Sequence, residues 1–296
     1  MKKTVFKGAG VAVITPMLPD GAPNYSEMEK ILEFQIANHT DSIIVCGTTG
    51  EASAMNDDEH LEVIDFVVKK VRHRIPVIAG VGSNDTRHAL NLSKEAAKRG
   101  ADALLHVTPY YNKTSQAGLI RHFTAIASCV DLPIILYNVP SRTGMTIQPE
   151  TYLELSRVPN IVATKEASGN FSAIAKTMAL CGDELDVYSG NDDQIVPLLA
   201  LGAKGVISVL SNICPQETHN ICELFFNGNV NESRQLQLKL MGIIDALFCD
   251  VNPIPVKEAM NIMGYAAGVC RMPLAEMSDT NKQKLFTQMQ ALGLAK

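Results

Sequence analysis

The chain has 296 residues, of which 46% are hydrophobic and 19% charged, with a net charge of −5, the balance of a globular protein with a sizeable core. No basic run recommends a nucleic-acid or anionic-membrane partner, and no apolar stretch reaches the length of a membrane span. Seven cysteines without a Cys-x-x-Cys spacing argue against a disulfide framework or a zinc site, and no signal-length apolar segment follows Met1-Lys-Lys-Thr-Val-Phe6, so a cytoplasmic protein with reduced thiols is expected. In chain order, short apolar runs fall at 10–14, 42–46, 76–80, 103–107, 132–136, 160–164, 185–189 and 205–209. They recur at roughly the spacing of a strand-plus-helix unit. Most are continuous rather than alternating, as in parallel strands covered on both faces. Between them the sequence predicts a helix capped by Ser26 with Glu29 as its capping-box partner, and another beginning at Asn56 or Asp57. Further helices are predicted over 86–99, 116–129, 149–157 and 215–226, the first of these stopping before Gly100.

Eight such repeats predict an α/β fold, a (β/α)8 TIM barrel, with a doubly wound open sheet as the alternative. The catalytic barrel is expected over 1–227. Beyond Gly228 the rhythm changes to amphipathic segments near 232–249, 255–263 and 274–292, read as a small C-terminal three-helix appendage over 228–296. It carries Asn252-Pro-Ile-Pro-Val-Lys257, a turn into a helix.

In a barrel of this kind, chemistry sits at the carboxyl ends of the strands. Lys165 stands there, after Ile161-Val-Ala163. A lysine held in an apolar interior tends to lose its charge, which makes it a nucleophile toward carbonyl carbon; otherwise its stem packs and its head reaches water. Tyr137 follows its own strand in the same way, and both residues are expected at one barrel mouth. The loop Gly47-Thr48-Thr49-Gly50-Glu51 offers hydroxyls and amides to an anion, or makes a plain turn. Arg142 can fork a carboxylate or be a solvated surface group. Thr108-Pro-Tyr-Tyr111 and Ser189-Gly-Asn-Asp-Asp193 complete the rim. His60, His88 and His122 fall on predicted helices as surface or packing groups. Lys257 is a rival lysine, but it opens a helix outside the repeat and is read as structural. No metal-ligand spacing, dinucleotide fingerprint or phosphate loop is present, so no metal and no cofactor is expected. One lysine, tyrosines, paired threonines and an arginine suit carbonyl chemistry through a lysine imine.

Gly47-Thr-Thr-Gly-Glu51, Tyr137-Asn-Val-Pro-Ser-Arg-Thr-Gly144 and Lys165-Glu-Ala-Ser-Gly169 closely resemble the 4-hydroxy-tetrahydrodipicolinate synthase (dihydrodipicolinate synthase) family, over nearly the whole chain. The Ser-Arg-Thr-Gly element is what separates this branch from related pyruvate-dependent sugar-acid lyases. The resemblance implies that Lys165 forms a Schiff base with pyruvate and that L-aspartate 4-semialdehyde is the second substrate. It implies Tyr137, Thr48 and Tyr111 as a proton relay, with Tyr111 reaching into a neighbouring subunit. Thr49 would grip the pyruvate carboxylate, Arg142 would receive that of the semialdehyde, and the backbones of Gly190 and Ile207 would line the pyruvate pocket. A homo-oligomer follows, a dimer or a tetramer built as a dimer of dimers. Many members are inhibited by lysine at a cleft whose positions here are Ala52, Ser53, Asp57, His60, Asn84, His88 and Tyr110. Lysine-sensitive members carry glutamate where this chain has His88 and histidine where it has Asp57, so weak or absent feedback is expected. The alternatives are another pyruvate-dependent aldolase of the superfamily, or a decayed barrel that binds a 2-oxo acid.

Overall fold

Strands with no polar face need cover on both sides, and a closed ring of strands inside a ring of helices supplies it. The computed structural model describes residues 2–295. Strands β1 (Gly8–Ala12), β2 (Ser42–Val45), β3 (Val77–Gly80), β4 (Ala103–Val107), β5 (Ile134–Asn138), β6 (Ile161–Glu166), β7 (Asp186–Ser189) and β8 (Gly205–Ser208) pair in parallel in that order. β8 returns to β1, closing the barrel. Apart from Val107 and Asp186, every strand residue is buried, which is why the runs do not alternate.

The helices are α1 (Tyr25–Ala37), α2 (Asp57–Val71), α3 (Thr86–Lys98), α4 (Gln116–Ala127), α5 (Pro140–Thr143), α6 (Pro149–Leu155), α7 (Phe171–Cys181), α8 (Ile195–Ala200), α9 (Pro215–Phe226), α10 (Val230–Leu247), α11 (Ile254–Ile262) and α12 (Asp279–Ala291). Ile31, Ile64 and Phe123 are fully buried in the layer between helices and strands. Each such side chain contributes about 1.5–3 kcal/mol. Inside the barrel, Ile44, Ile78, Ile135 and Ile207 form a second apolar layer. Phe6 stacks on Tyr188 with 4.3 Å between ring centroids, and the Tyr188 hydroxyl donates to the Phe6 carbonyl at 2.6 Å, holding this plug to β7. No helix among the described residues is long and apolar enough to cross a membrane.

The expected elements recur with specific shifts. α1 is capped by Asn24, whose side chain accepts from Glu27 N, and not by Ser26, which lies inside the helix. Glu29, the expected partner, pairs with Lys70 Nζ at 2.7 Å, so the expected capping box does not form. Asn56 caps α2 by accepting from Glu59 N at 3.0 Å. β1 begins two residues earlier than its apolar run, because Gly8 pairs with Gly205. There a Cβ on Gly205 would lie 1.8 Å from the Gly8 carbonyl oxygen, so only glycine fits. β6 runs past Thr164 to include Lys165 and Glu166, which pair with Tyr137 and Asn138 on one side and with Tyr188 and Ser189 on the other. The ladder follows backbone partners, and polarity of side chains does not end it. α7 and α8 have no counterpart among the expected helices; α8 is only six residues long and contains Pro197.

Candidate active site

Tyr137 of β5 stands level with Lys165 of β6, so both side chains enter the barrel from the same height. The Lys165 Nζ lies 4.4 Å from the centroid of the Tyr137 ring. Lys165 is 6% exposed and Tyr137 7%, and both line a cavity of about 550 Å³. Burial brings the Lys165 pKa down to about 8, against the opposing pull of the Asp192 carboxylate and with some help from the Arg142 charge. At neutral pH roughly a tenth of such an amine is uncharged, about two- to three-hundred-fold more than for a solvated lysine. Gly190 makes room beside it. A Cβ there would meet the Ala167 methyl at 2.7 Å and the Lys165 stem at 3.2 Å.

Asp192 was not singled out by sequence, although it stands in the quoted Ser189-Gly-Asn-Asp-Asp193 stretch. It is 2% exposed, and its Oδ2 accepts from the backbone N–H groups of Val209 and Leu210 at 3.0 and 2.9 Å. Burial raises its pKa, while hydrogen bonds and the Lys165 charge oppose that shift. A fixed carboxylate near the amine tempers the desolvation of Lys165, so the lysine stays titratable near neutrality.

The loop after β2 brings Thr48 and Thr49 to the cavity wall. Thr48 hydrogen-bonds the Tyr137 side chain, and burial is the main cause that raises the tyrosine's pKa. Thr49 is 2% exposed; its Oγ1 accepts from Asn252 Nδ2 at 3.0 Å. Arg142 lies on α5, and its NH2 donates to the Asn252 carbonyl at 3.1 Å. Tyr111 is not on this wall: it is 93% exposed, with φ at 66°. Ile207 is fully buried within the barrel and does not line the cavity; Val209, two residues on, does.

The same cavity extends past Ala52, Ser53, Asp57, His60, His88 and Tyr110, whereas Asn84 stands off its wall, with its carbonyl accepting from Asn112 Nδ2 at 2.9 Å. His88 Nε2 is 2.8 Å from Asp57 Oδ1, and its Nδ1 is 3.0 Å from Ser83 Oγ. His60 faces the Gly80 carbonyl at 2.8 Å, so Nε2 carries the proton, and burial lowers its pKa. His122 is buried on α4. Lys257 is buried against Glu51 at 2.8 Å and also donates to the Val269 carbonyl, as its structural reading expects.

Fold and site together define a barrel equipped for lysine-imine chemistry on a small carbonyl compound. A sequence model described as the dihydrodipicolinate synthetase family matches residues 5–292. The chain belongs to that family. It is 56% identical to a Caldicellulosiruptor bescii protein named 4-hydroxy-tetrahydrodipicolinate synthase, over 99% of each chain. The crystal structure of a chloride-inhibited dihydrodipicolinate synthase from Acinetobacter baumannii, in complex with pyruvate, superposes with a TM-score of 0.96 at 40% identity, covering 98% of this chain and 100% of that one. A dihydrodipicolinate synthase from Cyanidioschyzon merolae with lysine bound superposes equally well, at 39% identity over 99% of this chain and 100% of that one.

Proposed function

We propose that this chain joins pyruvate to L-aspartate 4-semialdehyde through a Schiff base on Lys165, giving 4-hydroxy-tetrahydrodipicolinate in lysine and diaminopimelate biosynthesis. The buried Lys165 amine over the Tyr137 ring, with its pKa brought down to about 8, is the observation that carries this reading. The neutral amine adds to the pyruvate carbonyl, and Tyr137 supplies the proton with which water leaves. The cationic imine draws electrons from the methyl group, which loses a proton to become an enamine. The enamine carbon attacks the aldehyde, and the resulting alkoxide is protonated to a hydroxyl. The semialdehyde's own amine then adds to the imine carbon, expels Lys165 and closes the ring. One water is released overall.

Thr48 passes protons to and from Tyr137. Thr49 holds the pyruvate carboxylate, and Arg142 receives that of the semialdehyde. Gly190 serves by its lack of a side chain, since its N–H is committed to the Glu166 carbonyl at 2.8 Å. The reading also makes the protein a cytoplasmic homo-oligomer, dimer or tetramer, in which the partner subunit's Tyr111 completes the relay. The 93% exposure of Tyr111 supports that role. Residues 1–227 form the catalytic barrel and 228–296 its helical appendage.

Purified protein is expected to consume pyruvate with aspartate semialdehyde, and not with N-acetylmannosamine or glyceraldehyde. Turnover only with another aldehyde would assign it to a different pyruvate aldolase. Failure of borohydride to trap any pyruvate adduct would leave a 2-oxo-acid-binding barrel. Lysine is expected to inhibit weakly or not at all, because His88 and Asp57 already satisfy one another at the cleft and His88 offers no carboxylate to an ammonium group. Half-inhibition at sub-millimolar lysine in a steady-state assay would refute this.

A further inference from the structure

Asn252 opens the Asn-Pro-Ile-Pro-Val-Lys257 segment, and that segment otherwise reads only as a turn into α11. It is 7% exposed and stands on the wall of the cavity. Two contacts leave it for opposite sides of the site. Its Nδ2 donates to Thr49 Oγ1 at 3.0 Å, and its backbone carbonyl accepts from Arg142 NH2 at 3.1 Å. Its Oδ1 is buried with no hydrogen-bond partner among the described residues. A buried acceptor left unpaired is a cost that packing alone does not call for.

We infer that Asn252 is a positioning residue that yokes the two carboxylate-holding groups of the site, Thr49 and Arg142, into one fixed unit. The inference rests on the proposed roles of those two residues. Its logic lies in the direction of the hydrogen bonds. A hydroxyl has one proton and two acceptor positions. With the amide N–H occupying an acceptor position, the Thr49 proton is left to point elsewhere, toward an anion in the cavity. The carbonyl similarly fixes one N–H of a long, exposed arginine whose fork would otherwise be ordered only on binding, at an entropic cost. The segment itself cannot drift, because Lys257, five residues on, is clamped by Glu51 from the Thr48–Thr49 loop.

The test is the pyruvate concentration that half-saturates borohydride trapping, measured for the full chain without semialdehyde, alongside steady-state kinetics. Asn252→Ala is expected to raise that concentration about tenfold, the effect of one lost hydrogen bond in a ligand grip, with kcat changed less than about threefold. Asn252→Asp keeps the shape but cannot donate to Thr49 and adds a negative charge beside the pyruvate carboxylate, so it is expected to raise it further than alanine does. A residue that served only to fill space would give the opposite order, and that order would overturn the inference, as would unchanged half-saturation in both variants. If alanine fails to fold, the aspartate variant alone decides, by the same half-saturation. Absence of trapping in the unmodified protein would overturn the proposed function instead, which keeps the two failures apart.

Discussion

Lys165→Ala abolishes turnover, by at least about 10⁴-fold, and abolishes the borohydride-trapped pyruvate adduct with it. Removing a nucleophile on which a covalent path depends costs on this scale, because no other group takes over its bond. The variant is expected to fold, since the deleted amine is a charged group whose burial is itself unfavourable. The pH dependence of the unmodified enzyme checks the cause. Only the uncharged amine attacks, and the amine titrates at about 8, so imine formation climbs about tenfold per pH unit from pH 6 to 7 and levels off above 8. Single-turnover trapping at several pH values measures it. Retention of more than a few per cent of activity in the alanine variant would remove Lys165 from its role. A rate still rising at pH 10 would show that burial does not lower its pKa.

Which parts of this architecture can be read from the chain follows from the range of the interactions involved. The barrel was legible because strands covered on both faces write continuous apolar runs, and eight of them recur at the length of a strand and helix. Lys165 and Tyr137 were legible as polar residues ending such runs, and their expected common height is found in the β5–β6 register. The exact strand limits were not, since Gly8 pairs because Gly205 lies opposite and not because of its own polarity. Asn24 and Ser26 are equally suitable cap residues two positions apart, and only the contact from Glu27 N separates them. Asn252 looked like part of a turn, and its partner Thr49 is 203 positions away, a distance no local pattern spans. Asp192 was visible in a loop, but its bearing on Lys165 depends on β7 standing next to β6. The Ile207 side chain belongs to the apolar layer inside the barrel, and a place for its backbone beside pyruvate rests on the resemblance alone.

The second lysine supplies the converse experiment. Lys257 and Glu51 have side chains 2% exposed, and they meet at 2.8 Å. Both ions have further partners: Lys257 also donates to the Val269 carbonyl, while the other Glu51 oxygen accepts from Arg271 N at 2.8 Å. Two ions can persist in an interior only under such satisfaction, and removing one strands the other. Lys257→Met is therefore expected to destabilise by about 3–5 kcal/mol, and Glu51→Gln by a similar amount. For a chain of this size that corresponds to a fall of roughly 5–8 °C in Tm. The double variant Glu51→Gln/Lys257→Met is expected to lose less than the sum of the two, because neither stranded charge remains. Additive losses would show that the ion pair is not the unit that matters. In the folded fraction of Lys257→Met the pyruvate adduct still forms on Lys165, whereas a half-saturating pyruvate concentration that rises would report a loosened Thr48–Thr49 loop, since Glu51 is the residue that ends it. One buried lysine thus pairs with an adjacent carboxylate and serves the fold. The other has an amine poised near neutrality and serves the reaction.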